Sequence, residues 1–209
     1  MKLTHSLYLL ALATTTFVSC GKEESLEPDE NAAVKQELIG TYDFLYMAAH
    51  TESDVSMNYA GENLRTVTIS DYISKDNTGT YEITASEVKS VGIGYTIDTV
   101  IKVRSYDGGQ IDEMEAGFTF TVADLNSSST YKLVGTDSLY AESGFASVPS
   151  GSGGQTDLPV KPSGAKFFWS GDTLTFYGEY AAESIVVEQG ISVTNRQYSR
   201  HAIRMLKRR

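Results

Sequence analysis

This 209-residue chain has little of several residue types that usually carry chemistry: one cysteine, three histidines, one tryptophan and four prolines. A single cysteine, Cys20, leaves no partner for an intrachain disulfide and no zinc–thiolate cluster. Of the histidines His5, His50 and His201, the last two are far apart and neither has a ligand-spaced neighbour, so neither is assigned a metal or catalytic role. Positive charge is scarce. Lys and Arg number 17 against 27 Asp and Glu, a formal charge of −10, so counterion release gives no drive toward DNA or RNA. The basic end, Arg200 to Arg209, reads as a last strand with a solvated tail. Apart from one short stretch near the start, no apolar run approaches the roughly 20 residues that a membrane-spanning helix needs. There is no Gly-x-Ser-x-Gly elbow and no glycine motif for phosphate. Gly151-Ser152-Gly153-Gly154 stands inside a loop-like stretch instead.

What is present begins at the first residue. Met1-Lys2 is a short positive region, and Leu7 to Leu12 is an apolar run of signal-peptide length. Phe17-Val18-Ser19-Cys20 resembles the lipobox of bacterial lipoproteins, in which the cysteine thiol is acylated and becomes the new N-terminus. Gly21-Lys22-Glu23-Glu24 resembles the export signal of surface lipoproteins in Bacteroidetes. The resemblance implies a signal peptide over residues 1–19, lipid on Cys20 and a place on the outer membrane, facing outward. An ordinary cleaved signal with an incidental cysteine is the alternative. Cleavage removes Lys2, which takes the charge from −10 to −11. With Cys20 acylated no thiol remains as a nucleophile or metal ligand. Residues 20–36 are acidic, contain Pro28 and lack aromatics, the composition of a flexible tether. Glu30 to Leu38 has room for one or two helical turns.

From Leu38 the apolar pattern has period two, the mark of strands with one buried face. Tyr42, Phe44, Tyr46 and Ala48 fall on one side of the first strand. Ile97, Thr99, Ile101 and Val103 oppose Asp98, Lys102 and Arg104, and Phe118, Phe120 and Val122 alternate with Thr119, Thr121 and Ala123. Shorter strands are expected at 131–134, 167–170, 174–177, 185–188 and 198–206. Turn signals stand at Lys75–Gly79, Asp107–Gly109, Asn126–Ser128 and Ser170–Asp172. Thirteen Tyr and eight Phe suit a pleated, half-buried surface. The expectation is one all-β domain over residues 37–209, an antiparallel up-and-down meander closed as a barrel, with a two-sheet β-sandwich as the alternative. Ser143 to Ala165 breaks the rhythm. It holds three of the four prolines and has no periodicity, which suggests disorder or a lid.

Two acidic stretches invite a chemical reading. Asp76 to Glu82 lacks the alternating Asp/Asn and distal Glu of a calcium loop and reads as a turn. Asp112, Glu113 and Glu115 adjoin a Gly-Gly turn and read as a solvated hairpin. No acid–base or nucleophile set can be assembled, and no cofactor is expected.

Leu38-Ile39-Gly40-Thr41-Tyr42 resembles the opening of lipocalins and, more closely, that of lipocalin-like lipoproteins of Bacteroidetes, with Tyr42 where lipocalins carry tryptophan. Asp76 to Tyr81, Ser170 to Phe176 and the basic last strand, Arg196 to Arg208, extend the likeness. It implies an up-and-down β-barrel with a cavity open at one end. The functional expectation is non-catalytic binding of a small apolar molecule or a glycan at the barrel mouth, beside the 143–165 loop. The alternative is an accessory subunit of an outer-membrane assembly, with a filled core. Asp98-Thr99-Val100, Asp137-Ser138-Leu139 and Asp172-Thr173-Leu174 each resemble the O-glycosylation sequon of Bacteroidetes, which makes Thr99, Ser138 and Thr173 candidate sites. The expected partners are the membrane, through lipid on Cys20, and an unknown small molecule, glycan or protein, but no nucleic acid.

Overall fold

A computed structural model describes residues 32–59, 61–107, 109–149, 155–159, 162–188 and 190–209. The expected signal, Cys20 and the tether as far as Asn31 lie outside these residues. The last tether residues belong to helix α1 (Ala32–Leu38). Ten strands follow: β1 (Gly40–Tyr59), β2 (Glu62–Ile73), β3 (Lys75–Ile83), β4 (Glu87–Asp107), β5 (Gln110–Val134), β6 (Ser138–Pro149), β7 (Gln155–Pro159), β8 (Ser163–Ser170), β9 (Thr173–Glu188) and β10 (Ile191–Lys207). Every pairing is antiparallel. Nine strands follow one another in the order β10-β9-β8-β6-β5-β4-β2-β1-β3, and β10 pairs with β1 to close the ring. That closure runs from Tyr42 opposite Lys207 to Asn58 opposite Ser192. The protein is an up-and-down barrel and not a sandwich.

β2 and β3 share one position in the ring. β2 pairs with the upper part of β1, from Ala48 to Tyr59, and β3 with its first residues, Gly40 to Asp43. Ser74 marks the break between them. Its buried hydroxyl accepts from the Met47 amide at 2.8 Å and donates to Asn77 Oδ1 at 2.6 Å. Two expected turns are strand instead. Lys75–Gly79 opens β3, and Asn126–Ser128 lies inside β5. Irregularities within the strands stand in or beside these segments: Asp76 in the first and Asp124, two residues before the second, have positive φ, 52° and 54°, and the β3–β4 register slips twice between Lys75 and Thr80. Gly79, at φ 95°, lies so close to β4 that an added β-carbon would stand 2.5 Å from the Gly92 carbonyl oxygen, a position no other residue fits. The interval Ser143 to Ala165 contributes the end of β6, all of β7 and the start of β8, while residues 150–154 and 160–161 lie outside the described set.

The ring is complete only at one end, the base. β6 pairs with β5 over residues 126–134, and β8 pairs with β9 only as far as Gly178. Above that level β9, β10, β1, β2, β4 and β5 continue as a six-stranded wall. Among the described residues, 110–125 of β5 and 179–188 of β9 have no partner on their outer flank.

The apolar core fills the base. Leu38, Tyr42, Ile83, Tyr131, Leu139, Phe167, Leu174 and Met205 are buried together, and Trp169, Phe176, Ile203 and Val88 pack against them. Phe44 meets Tyr81 and Tyr95 edge-on at 6.1 and 6.2 Å. Helix α1 plugs the floor, with its last side chain, Leu38, fully buried. Its orphan carbonyls find donors. Tyr42 Oη donates to the Leu38 carbonyl at 2.6 Å, and Lys207 Nζ donates to that of Glu37 at 2.5 Å. The same ammonium lies over the rings of Tyr42 and Trp169, 5.7 and 5.5 Å from their centroids.

Candidate functional site

Register decides which side chains face outward. Phe44 stands opposite Met205, but Tyr46 stands opposite Arg204, so a bulge at Leu45 reverses the facing of β1. Tyr42 and Phe44 point into the core, whereas Tyr46, Ala48, His50, Glu52 and Asp54 lie on the outer side of the wall. The single face expected for Tyr42, Phe44, Tyr46 and Ala48 is therefore split by the bulge.

Beyond it the outer face is a lattice of cross-strand rows. One row runs Asp71–His50–Arg200–Glu179 over β2, β1, β10 and β9, each residue directly opposite the next. The row beneath runs Ile73–Ala48–Ala202–Tyr177. Two adjacent alanines in the middle of a pleated sheet leave a hollow, because neighbours in such a row lie only about 5 Å apart and longer side chains rise on both sides. The result is a groove of about 600 Å³ lined by Asp71, His50 and Arg200 of the first row and by Ile73, Ala48, Ala202 and Tyr177 of the second, with Glu179 at the end of its row beside it. A second groove of about 420 Å³, lined by Glu52, Asp54, Ala181, Glu183, Arg196 and Tyr198, lies further up the same face. The two adjoin where the His50 and Tyr198 rings meet edge-on at 6.3 Å.

The polar groups of the lower groove are fixed in part. His50 Nδ1 lies 2.8 Å from Asp71 Oδ1, which orients the imidazole. Tyr177 Oη donates to Glu179 Oε1 at 3.0 Å, and that bond holds the phenol proton and raises its pKa. Arg196 pairs with Glu183 at 3.2 Å in the upper groove. Arg200 differs: its guanidinium is exposed and has no hydrogen bond or ion pair among the described residues. His201 faces inward from the next position on β10. Its ring fills the space over Gly178, where a β-carbon would stand 2.9 Å from Nε2, and burial lowers its pKa.

Outside this face the expected sites are dispersed. Ser138 begins β6, half-buried, and its hydroxyl donates to Asp137 Oδ1 at 2.9 Å. Thr173 begins β9 on the outer side, opposite Leu206. Thr99 lies on the inner face, and its hydroxyl donates to the Asp71 carbonyl at 2.7 Å. Glu113 and Glu115 pair with Arg104 and Lys102 at 2.6 and 3.9 Å. No group of three or more His, Cys, Asp or Glu among the described residues is placed to hold a metal ion. Sequence reasoning missed the groove because its row joins four strands. The one local signal was the run Ala48-x-His50-x-Glu52-x-Asp54, polar at period two directly after an apolar stretch of the same period.

No family model matches this chain, and no curated protein matches it. Among solved structures it has a slight likeness to the translocator domain of the autotransporter NalP from Neisseria meningitidis, with 9% identity over 81% of this chain and 91% of that one and a TM-score of 0.20. A likeness of that size has no bearing on activity.

Proposed function

We propose that this chain is a non-catalytic binding lipoprotein of the outer membrane, anchored through Cys20, and that it binds a glycan on the outer wall of its barrel. The observation that carries the glycan reading is the pair of rows Asp71–His50–Arg200–Glu179 and Ile73–Ala48–Ala202–Tyr177. A sugar ring has an apolar face and a rim of hydroxyls. The alanine floor and the Tyr177 ring suit the first, and the His50–Asp71 pair, Arg200 and Glu179 suit the second. The barrel interior supports binding less well, because aromatic and aliphatic side chains fill its base. Helix α1 plugs the floor, so a tether leading back to Cys20 would put the base toward the bilayer and the wall away from it.

A printed glycan array probed with the full chain tests the reading. The expected result is a restricted set of bound glycans, lost in Tyr177→Ala and in Ala48→Trp, which fills the hollow. If the wild-type chain binds no glycan, or both variants bind as it does, the groove reading is wrong. The anchor is tested separately by detergent partitioning, where Cys20→Ala should leave the membrane fraction.

A further inference from the structure

We propose that the lower groove selects acidic sugars, and that Arg200 is the group that binds their carboxylate. This rests on the glycan reading above and goes beyond it by naming the charge of the ligand. The argument begins with pairing. The chain carries ten more acidic than basic residues, so carboxylates outnumber cations, and most of its arginines are paired. Of the other arginines, Arg65, Arg104, Arg196, Arg208 and Arg209 each pair with an Asp or Glu, and Arg204 donates to Tyr46 Oη at 2.9 Å.

Arg200 stays unpaired although its own row contains two carboxylates. Glu179 is directly opposite, but accepts the Tyr177 hydroxyl. Asp71, at the far end, is held by His50. Each of these acids has its bond elsewhere, neither forms an ion pair with Arg200, and Arg200 lines the groove with no hydrogen bond among the described residues. A planar guanidinium fork matches a carboxylate in bidentate fashion. The ring bearing that carboxylate would lie over Ala202 and Ala48, with one face against Tyr177. A uronic acid has this combination of a pyranose ring and a carboxylate on one edge. Glucose and galactose have the ring alone.

The experiment titrates the full chain, kept soluble by Cys20→Ala, with glucuronic and galacturonic acid oligomers and with the matched glucose and galactose oligomers, by calorimetry at low salt. The expected result is acid binding on the order of tenfold or more tighter than neutral binding, a difference that corresponds to one charged hydrogen-bonded contact. Arg200→Gln should abolish the difference between acidic and neutral oligomers, and Arg200→Lys should retain part of it. Added salt should weaken the acidic ligands alone. Equal binding of acidic and neutral oligomers overturns the inference and leaves the glycan reading standing. So does an acid preference that Arg200→Gln does not change. Failure of every uronate, whatever the array shows with other glycans, also overturns it. Thermal unfolding of Arg200→Gln should match the parent, because the side chain is exposed and unpaired.

Discussion

At the scale of single residues, the floor depends on one ammonium group. Lys207 joins the last strand, the helix carbonyl of Glu37 and the rings of Tyr42 and Trp169 at one point. Lys207→Met keeps the aliphatic stem and removes the charge. We expect a loss of about 1–2 kcal/mol in urea unfolding, the size of a part-buried cation–π contact, and recovery of part of it in Lys207→Arg. A loss as large in Lys207→Arg as in Lys207→Met would show that fit, and not charge, is what matters there. His201 gives a pH dependence of definite sign. Burial depresses its pKa below the ordinary 6.5, so the unfolded chain takes up the proton first. Its contribution is therefore complete above the unfolded value and is lost as pH falls from about 6.5 toward the folded value. Urea midpoints measured from pH 8 to pH 5 should decline, and His201→Gln should flatten that part of the decline. An unchanged slope in the variant would mean that other groups cause it.

Strands were legible where their pattern was local, and less so where a partner decided it. The alternation around Ile97–Val103 is present in the structure, whereas Phe118 and Phe120, opposite Thr99 and Ile97, are exposed because β5 has no partner on its other flank there among the described residues. Lys75–Gly79 and Asn126–Ser128 misled for a common reason. Asp, Asn and Gly favour positive φ wherever the chain requires it, and here β3 and β5 require it at bulges and not at hairpin ends. The candidate row was illegible because Asp71, His50, Arg200 and Glu179 meet only through three strand pairings. At this scale the wall has an exposed weakness. Ile185, Val186 and Val187 on the free flank of β9 are 62%, 53% and 68% exposed. Unpaired β-branched edges template further strands. We expect concentration-dependent association of the full chain, seen by analytical ultracentrifugation in detergent, and its reduction in the double variant Ile185→Lys, Val187→Lys. An association constant that the double variant leaves unchanged would place the contact elsewhere.

For the whole molecule, the barrel is shut by residues from opposite ends of the chain. Asp43 and Arg208, 165 positions apart, form an ion pair beside the β1–β10 seam, and Met205, fully buried, completes the core. Deleting residues 199–209 should leave β1 without its lower partner and expose Tyr42 and Leu174. The expected result is loss of cooperative unfolding and rapid proteolysis, while Arg209→Ala, which removes one exposed pair, should unfold like the parent. Cooperative melting of the deletion would mean that the ring does not need its seam. The seam also sets a clock. Ribosomes make the chain from residue 1, and β1 is complete long before its final partner exists. Contacts of such high sequence separation form slowly and only once both segments are available. During synthesis the local pairings, β1 with β2 and β4 with β5, therefore become available well before the floor can shut. The last dozen residues decide when the molecule stops being thread and becomes a ring.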